Sequence, residues 1–359
     1  MARRLFLHVG TMKSGTSYLQ SLWWQNHRTL AERGLLLPGD RRGVHFHAAT
    51  EVCGRADVRA LMSEEHRGSW DRVRQEAAAS DTDVLVSHEL FSRATPDEAD
   101  TALRELERVS EEVHVVLTAR DLSRQLASSW QQDVKQGSTD TLEHYWRRAA
   151  DDTGRTGEFW TLHDVPAILE RWSRGLPDDR VHLVVLPGPG APRDWLWRAV
   201  CELTGVDPAG LDDDAQRSND SLGLAEVEVL RRVQASLPPE SRHLETTRFL
   251  KGFFTRQVLA GSGDGERFVL GPERHAWARS LAEDQVADLR TRPWHVVGDV
   301  ADLLPPEQPL PGRTPEEVSA EEVADAAVNS LVGQLLRSHE QRDRVRSLRE
   351  EVRRLRGSS

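Results

Sequence analysis

The chain of 359 residues carries a formal net charge of −11, with 38% hydrophobic and 29% charged residues. This composition predicts a folded core large enough for one extended α/β domain or two ordinary domains, and it argues against a wholly disordered chain. The negative charge disfavours nucleic acid as a partner, so an anionic ligand needs a local basic site. Two cysteines, Cys53 and Cys201, are too few for a disulfide framework or a four-cysteine zinc site.

The apolar runs along the chain are short. None approaches the roughly 20 residues that a membrane-spanning helix needs, so no membrane span is expected. The first run, Leu5–Val9, is also too short for the apolar region of a signal peptide, and no small-residue cleavage site follows it. We therefore expect a first buried strand and a cytoplasmic protein.

Five apolar runs predict strands: Leu5–Val9, Leu35–Leu37, Val84–Ser87, Val113–Thr118 and Val181–Leu186. Four of them are near-continuous apolar runs and do not alternate with polar residues, which is typical of parallel strands covered on both faces. Helical patterns separate them, among them one continuous helix over Ser17–Arg33 and another over Asp121–Gln136. After about residue 190 the pattern is mostly helical, with a last short strand at His295–Val297. The sequence thus predicts an α/β fold, an open parallel sheet with helices on both faces and a helical C-terminal part.

The C-terminal region differs from the rest. Residues 305–315 contain five prolines and predict a linker between an α/β domain at 1–304 and a long helix at 316–357. Thr314-Pro315-Glu316-Glu317 is typical of a helix start. Val345, Leu348, Val352 and Leu355 follow a heptad, which predicts a coiled coil or a docked helix, and therefore a homo-oligomer as one outcome.

The turn after the first predicted strand holds the most informative motif: His8-Val9-Gly10-Thr11-Met12-Lys13-Ser14-Gly15-Thr16-Ser17. A strand-to-helix turn of this kind directs backbone N–H groups and a positive helix end at one point, which favours a phosphate or sulfate. Gly10 and Gly15 match the spacing of the nucleoside-triphosphatase loop, but Thr16 stands where that loop has lysine. Lys13 lies three places earlier, and no acidic strand end for magnesium is evident. The alternative is an ordinary turn rich in small polar residues.

The segment Lys13-Ser14-Gly15-Thr16-Ser17-Tyr18-Leu19-Gln20 resembles the 5′-phosphosulfate loop of sulfotransferases, Lys-Ser-Gly-Thr-Thr-Trp-Leu-Gln. Those enzymes use 3′-phosphoadenosine 5′-phosphosulfate (PAPS), and the chain is most similar to the sulfotransferase-like proteins of actinobacteria. The resemblance implies a P-loop-like fold and a PAPS site without metal. It assigns cofactor binding to this loop, through the residues Thr11, Lys13, Ser14, Gly15, Thr16 and Ser17.

A second match to the family follows the fourth predicted strand, where Arg120 precedes Ser128 by eight residues. In the family, an arginine and a serine so placed bind the 3′-phosphate, and a guanidinium suits that anion because it offers paired donors. Without the loop, a surface arginine and an ordinary helical serine would explain the same spacing. The basic segment Arg248–Gly252 is a weaker match, and a solvated helix face is the alternative for it.

Sulfuryl transfer needs an in-line acceptor, a base and a group that neutralises the leaving phosphate. Lys13 is predicted to supply the charge. Related enzymes place a His or a Glu after the third strand, and here His88 and Glu89 are adjacent. We favour Glu89 as the base; the alternatives are that His88 is the base or that neither residue is. For His45 and His47 the sequence leaves three roles open: binding a metal, lining the acceptor pocket, or a structural role.

The resulting expectation is a sulfotransferase that transfers a sulfuryl group from PAPS to a hydroxyl or amine of a small-molecule or glycan acceptor. Two alternatives remain open on the sequence. One is a nucleotide-dependent phosphotransferase (kinase) of the P-loop type, against which the absence of lysine after Gly15 speaks. The other is a non-catalytic nucleotide-binding scaffold that assembles through its tail.

Overall fold

The computed structural model describes residues 1–54, 56–188, 190–214, 222–241, 249–259 and 268–357. The strands are β1 Ala2–His8, β2 Leu35–Leu36, β3 Asp83–Ser87, β4 Ser110–Ala119, β5 Val181–Val185 and β6 His295–Val297. The helices are α1 Thr16–Gln25, α2 His27–Glu32, α3 Gly43–Cys53, α4 Ala56–Ala60, α5 Ser69–Ala79, α6 Pro96–Leu106, α7 Leu122–Lys135, α8 Leu142–Ala150, α9 Glu158–His163, α10 Val165–Trp172, α11 Trp195–Thr204, α12 Leu224–Ser236, the π-type α13 Leu250–Leu259, α14 Pro272–Leu289 and α15 Ala320–Gly357.

The six strands form one parallel sheet in the order β2-β3-β1-β4-β5-β6. β1 lies between β3 and β4, so Phe6 is in register with Leu85 on one side and His114 on the other. The predicted α/β class, the parallel sheet and all six strand positions are confirmed, because near-continuous apolar runs suit strands that are covered on both faces.

Alternate residues of β1 enter different layers of the core. Leu5 and Leu7 belong to a cluster that includes apolar residues of α3, α5, α6 and α10. Phe6 belongs to the opposite cluster, with residues of α1 and α11. Because successive side chains of a strand point to opposite faces, one sheet thus packs against a layer of helices on each side.

The chain divides into two compact units. The first, Met1–Ser129, Trp146–Arg217 and Pro272–Pro309, contains the sheet and both clusters. The second, Trp130–Tyr145, Ser218–Gly271 and Leu310–Ser359, contains α12, α13 and α15 among its described parts. Within it, α15 packs against α12 and α13. No described helix combines the length and the apolar character that a bilayer crossing requires.

The continuous helix predicted over Ser17–Arg33 is wrong, since two helices meet at Asn26. The Asn26 amide donates to the Leu22 carbonyl, and Asn26 also exchanges hydrogen bonds with the backbone of Asp212. An asparagine side chain that competes with the backbone in this way favours a break.

The long helix begins at Ala320, four residues after the predicted 316. Thr314 does form the expected capping box with Glu317, but it starts only a short 3₁₀ turn. Ser319 and Glu322 then form a second reciprocal pair at the true start of α15.

Candidate active site

Residues that follow three neighbouring strands meet at the carboxyl edge of the sheet. The chain leaves β1 towards α1 on one face of the sheet, whereas the connection from β3 to β4 uses α6 on the other. Where the connections that leave two adjacent strands run to opposite faces of an open parallel sheet, a crevice forms, and this crevice is the usual ligand site. The loop after β1, Glu89 after β3 and Arg120 after β4 all lie at this edge.

The loop after β1 adopts a conformation that ordinary residues avoid. Gly10 has φ 59°, Gly15 has φ 85°, and Lys13 has φ 66°. A Cβ added to Gly15 would lie 2.5 Å from Leu196 Cδ2, so glycine is required there by space as well as by φ. Lys13 has no such freedom, and a left-handed non-glycine residue costs on the order of 1–2 kcal/mol. Strain of this kind collects at functional sites.

A chain of hydrogen bonds beneath the loop holds this shape. Ser14 Oγ donates to the Thr11 carbonyl at 2.7 Å and lies 2.8 Å from Thr118 Oγ1, so the Thr118 hydroxyl donates to Ser14. His8 Nε2 must then donate to Thr118 Oγ1 at 3.1 Å, and Ser87 Oγ donates to His8 Nδ1 at 2.8 Å. One proton occupies each contact, which fixes His8 as a neutral tautomer. Burial lowers the pKa of His8 to about 4, in agreement with that assignment.

The predicted loop residues therefore divide into two groups. The hydroxyls of Thr11 and Ser14 donate to backbone carbonyls of Thr118 and Thr11, so they maintain the shape of the loop. The amino end of α1 has no side-chain cap, and the buried Thr16 Oγ1 has no hydrogen-bond partner, while Ser17 is exposed. An uncapped helix end with a spare hydroxyl is a ready site for an anion.

Arg120 and Ser128 are brought together as the sequence predicts. Arg120 Nη2 donates to Ser128 Oγ and to the Arg124 carbonyl, both at 2.7 Å, whereas its buried Nε has no partner. The neighbouring carboxylate of Asp121 is ion-paired with Arg124 instead. Burial and the charge of Arg124 lower the pKa of Arg120 to about 10. This guanidinium is charged, oriented and only partly satisfied, as an anion-binding arginine must be.

Two further residues tie this anchor to its surroundings. Gln125, on the first turns of α7, donates to the Met12 carbonyl at 2.7 Å and so fastens the loop after β1 to the helix that follows Arg120. His163, at the end of α9, is buried, and its Nδ1 has no hydrogen-bond partner. Burial, together with the charge of Arg120, lowers the pKa of His163 to about 3.

Glu89 begins the short 3₁₀ turn after β3, and Gln20 of α1 holds it. Gln20 Nε2 donates to Glu89 Oε2 at 3.2 Å, and Gln20 Oε1 accepts from Arg42 Nη2 at 2.7 Å. Burial acts to raise the pKa of Glu89, but His88 in its protonated form, hydrogen bonds from Gln20 and the Glu89 backbone, and the charge of Arg42 outweigh it, so the pKa falls. The carboxylate is therefore ionised at neutral pH and available to accept a proton.

His88 is differently engaged. Its Nδ1 accepts a hydrogen bond from the backbone N–H of Leu90 at 3.1 Å, which caps the turn that begins at Glu89. Burial lowers the pKa of His88, so the ring is neutral near pH 7 and carries its single proton on Nε2. In this state the ring has a donor to offer but no free lone pair, and a general base needs a lone pair.

The two histidines left open by the sequence lie on α3. His45 is buried, with Nε2 donating to the Pro38 carbonyl and Nδ1 accepting from the Ser87 backbone N–H, so both nitrogens are occupied structurally. The rings of His47 and His66 are tilted at 33° to each other, with centroids 3.8 Å apart. Phe46, between His45 and His47 in the sequence, contacts the ring of His88. The described residues contain no group of three or more His, Cys, Asp or Glu side chains placed to hold a metal ion.

The sequence did not indicate the roles of Arg42, Gln125 and His163, because their partners are distant in the chain. Gln20 ends the loop motif and lies one helical turn after Thr16, which was the one available indication. Arg248, in the basic segment singled out from the sequence, lies outside the described residues. No protein-family model matches the chain, and searches of the curated proteins and of the solved structures also return no match.

Proposed function

We propose that this protein is a sulfotransferase that binds PAPS across the loop after β1 and the Arg120–Ser128 pair. The observation that supports the proposal is that two separate groups able to bind an anion lie at this edge of the sheet and are connected through Gln125. One is the uncapped amino end of α1 with Lys13, and the other is the half-satisfied guanidinium of Arg120. A nucleotide with phosphates on both its 5′ and 3′ positions needs two such sites, whereas a 5′-nucleotide needs one.

The residues present suit this ligand. Thr16 Oγ1 and Arg120 Nε are buried donors without partners, so each gains a hydrogen bond when an anion binds. Lys13, Gly15, Thr16 and Ser17 would hold the 5′-phosphosulfate. Arg120 and Ser128 would hold the 3′-phosphate, and PAPS supplies the activated sulfuryl group.

Glu89 is the proposed base. It would accept the proton of the acceptor hydroxyl or amine as the acceptor oxygen or nitrogen forms its bond to sulfur. Lys13 and the N–H groups of the loop would neutralise the charge that develops on the 5′-phosphate as its bond to sulfur breaks. Gln20 and Arg42 position the carboxylate. His88 Nδ1 lies 3.9 Å from Glu89 Oε2, and Phe46 contacts the His88 ring, so an acceptor would approach past these two side chains.

A binding experiment without turnover tests the proposal. Adenosine 3′,5′-bisphosphate, added without metal, is expected to raise the melting temperature more than adenosine 5′-phosphate, because only the bisphosphate reaches Arg120. Arg120→Ala is expected to weaken the bisphosphate about 10–150-fold, the equivalent of one charge-assisted hydrogen bond, and to change adenosine 5′-phosphate little.

Arg124→Ala is the matched control. Arg124 lies four residues from Arg120 and is paired with Asp121, so its removal should alter the bisphosphate affinity less than about 3-fold. If ATP with magnesium stabilises the protein more than the bisphosphate does, the proposal fails and a phosphotransferase takes its place. If the bisphosphate binds but no acceptor class supports turnover of labelled PAPS, a nucleotide-binding scaffold is the better reading.

A further inference from the structure

Helix α15 has one packed face and one exposed face. Val323, Ala326 and Ser330 are buried where the helix packs against α12 and α13. Because a helix turns about 100° per residue, the opposite side carries Val328, Val332 and Leu335. These side chains are exposed by 56%, 50% and 70%, and Leu331 and Leu336 beside them by 63% each. A contiguous apolar patch of this size on a helix normally marks an interaction surface.

The exposed face has a regular pattern along its whole length. Residues alternate by four and three positions through Glu321, Asp325, Val328, Val332, Leu335, His339, Arg342 and Arg346, and all eight are exposed. This is the spacing of a coiled-coil seam. The seam is acidic at its start, apolar in its middle and basic at its end.

We propose that this seam is the interface of an antiparallel homodimer. In a two-fold pairing centred between Gly333 and Gln334, Val332 of one copy lies opposite Leu335 of the other. The same register places Asp325 opposite Arg342 and Glu321 opposite Arg346, and each pair occurs twice. The surface is thus complementary to itself when one copy is reversed, which is the condition for an isologous two-fold interface.

The charge pattern selects this occupant over the alternatives. A parallel pairing would place acid against acid at one end and arginine against arginine at the other. An anionic membrane would attract the arginines but repel Glu321 and Asp325, and no basic residue lies between Asp325 and Arg337 to flank the apolar patch. A second copy of this chain satisfies both ends at once.

This seam differs from the heptad predicted from sequence. Val345 and Leu348 continue the direction of the packed face, so they lie about opposite the proposed seam; the side chains of Val352 and Leu355 lie outside the described residues. The two faces offer a matched comparison, because Leu335 and Leu348 are both exposed leucines on the same helix.

The experiment is sedimentation equilibrium of the full chain, whose monomer mass is 40.4 kDa. The wild-type chain is expected to behave as a dimer at micromolar concentration, and Leu335→Glu is expected to raise the dimer dissociation constant on the order of 100-fold or more, since the change occurs twice per dimer. Leu348→Glu should leave it unchanged. Circular dichroism verifies that each variant is folded. We expect this result because both substituted positions are exposed.

A charge exchange tests the orientation. Asp325→Arg should weaken the dimer about 10-fold by facing Arg342, and Asp325→Arg combined with Arg342→Asp should restore it. A wild-type chain that remains at 40.4 kDa up to 100-fold higher concentration overturns the proposal. So does a dimer that Leu348→Glu dissociates and Leu335→Glu does not, or a double charge exchange that fails to restore what the single change removed.

Discussion

Four buried histidines should make this protein sensitive to mild acid. Burial lowers the pKa of His8 and His45 to about 4, and that of His163 and His182 to about 3. In the unfolded chain each titrates near 6.5. Below that pH these histidines are protonated in the unfolded chain but stay neutral in the folded chain, so lowering the pH favours unfolding.

The size of the effect follows from the shifts. For one such histidine, the free energy of unfolding falls by about 1.3 kcal/mol between pH 7.5 and pH 5.5, and four give about 5 kcal/mol. That is a large part of the roughly 5–15 kcal/mol that stabilises a typical domain. His88 and His114, whose pKa values are also lowered by burial, act in the same direction. The stability is retained above about pH 6.5 and is lost as the pH falls towards 4.

His163 provides the most direct variant, because its unpartnered Nδ1 means that substitution at this nitrogen breaks no hydrogen bond. His163→Leu removes one of the groups that bind a proton on unfolding. The free energy of unfolding of this variant should therefore fall by about 1.3 kcal/mol less between pH 7.5 and pH 5.5 than that of the wild type. His144→Leu is the control, since His144 is exposed on α8 and its replacement leaves all four buried histidines in place.

Urea denaturation followed by circular dichroism at pH 5.5, 6.5 and 7.5 measures these quantities. A free energy of unfolding that changes by less than about 1 kcal/mol over this range would refute the reasoning, because it would mean that the four histidines titrate normally in the folded protein. An equal pH dependence for His163→Leu and the wild type would remove His163 from the set.

Two further predictions concern the proposed site. Glu89→Gln should lower kcat on the order of 10²–10⁴-fold with labelled PAPS and an accepted acceptor, while bisphosphate affinity stays nearly intact; a larger loss from His88→Ala than from Glu89→Gln would assign the base to His88. Lys13→Gly and Lys13→Ala should both weaken the bisphosphate, but the glycine variant should be more stable to urea by about 1 kcal/mol, since only glycine relieves the left-handed strain; equal stabilities would contradict that strain.

The sheet was predictable from sequence because its determinants are local. A run such as Val113–Thr118 is apolar at four of its six positions, without a polar residue at every second position, and this pattern occurs where helices cover both faces of a parallel strand. The loop after β1 was equally visible, since Gly10 and Gly15 mark turns that need left-handed backbone. The position of Arg120, directly after the apolar run that forms β4, could also be read from the sequence.

The polar contacts of the site were not predictable, because their partners come from distant segments. Arg42 reaches Glu89 only through Gln20, which brings together residues from α1, the start of α3 and the turn after β3. The break at Asn26 depends in the same way on Asp212, which lies 186 residues later in the sequence. No periodicity or spacing within one segment encodes such contacts.

The choice between His88 and Glu89 shows how a single backbone contact can decide chemistry that composition leaves open. Both residue types can act as bases near neutral pH, and they are adjacent in sequence. The N–H of Leu90 occupies His88 Nδ1, and burial keeps the ring neutral, so its remaining nitrogen is a donor. Glu89 meanwhile keeps an ionised carboxylate, held by Gln20. The backbone contact that caps the turn after β3 therefore leaves Glu89 as the one of the two groups with a lone pair free to accept a proton, while the neutral His88 ring can only donate through Nε2–H.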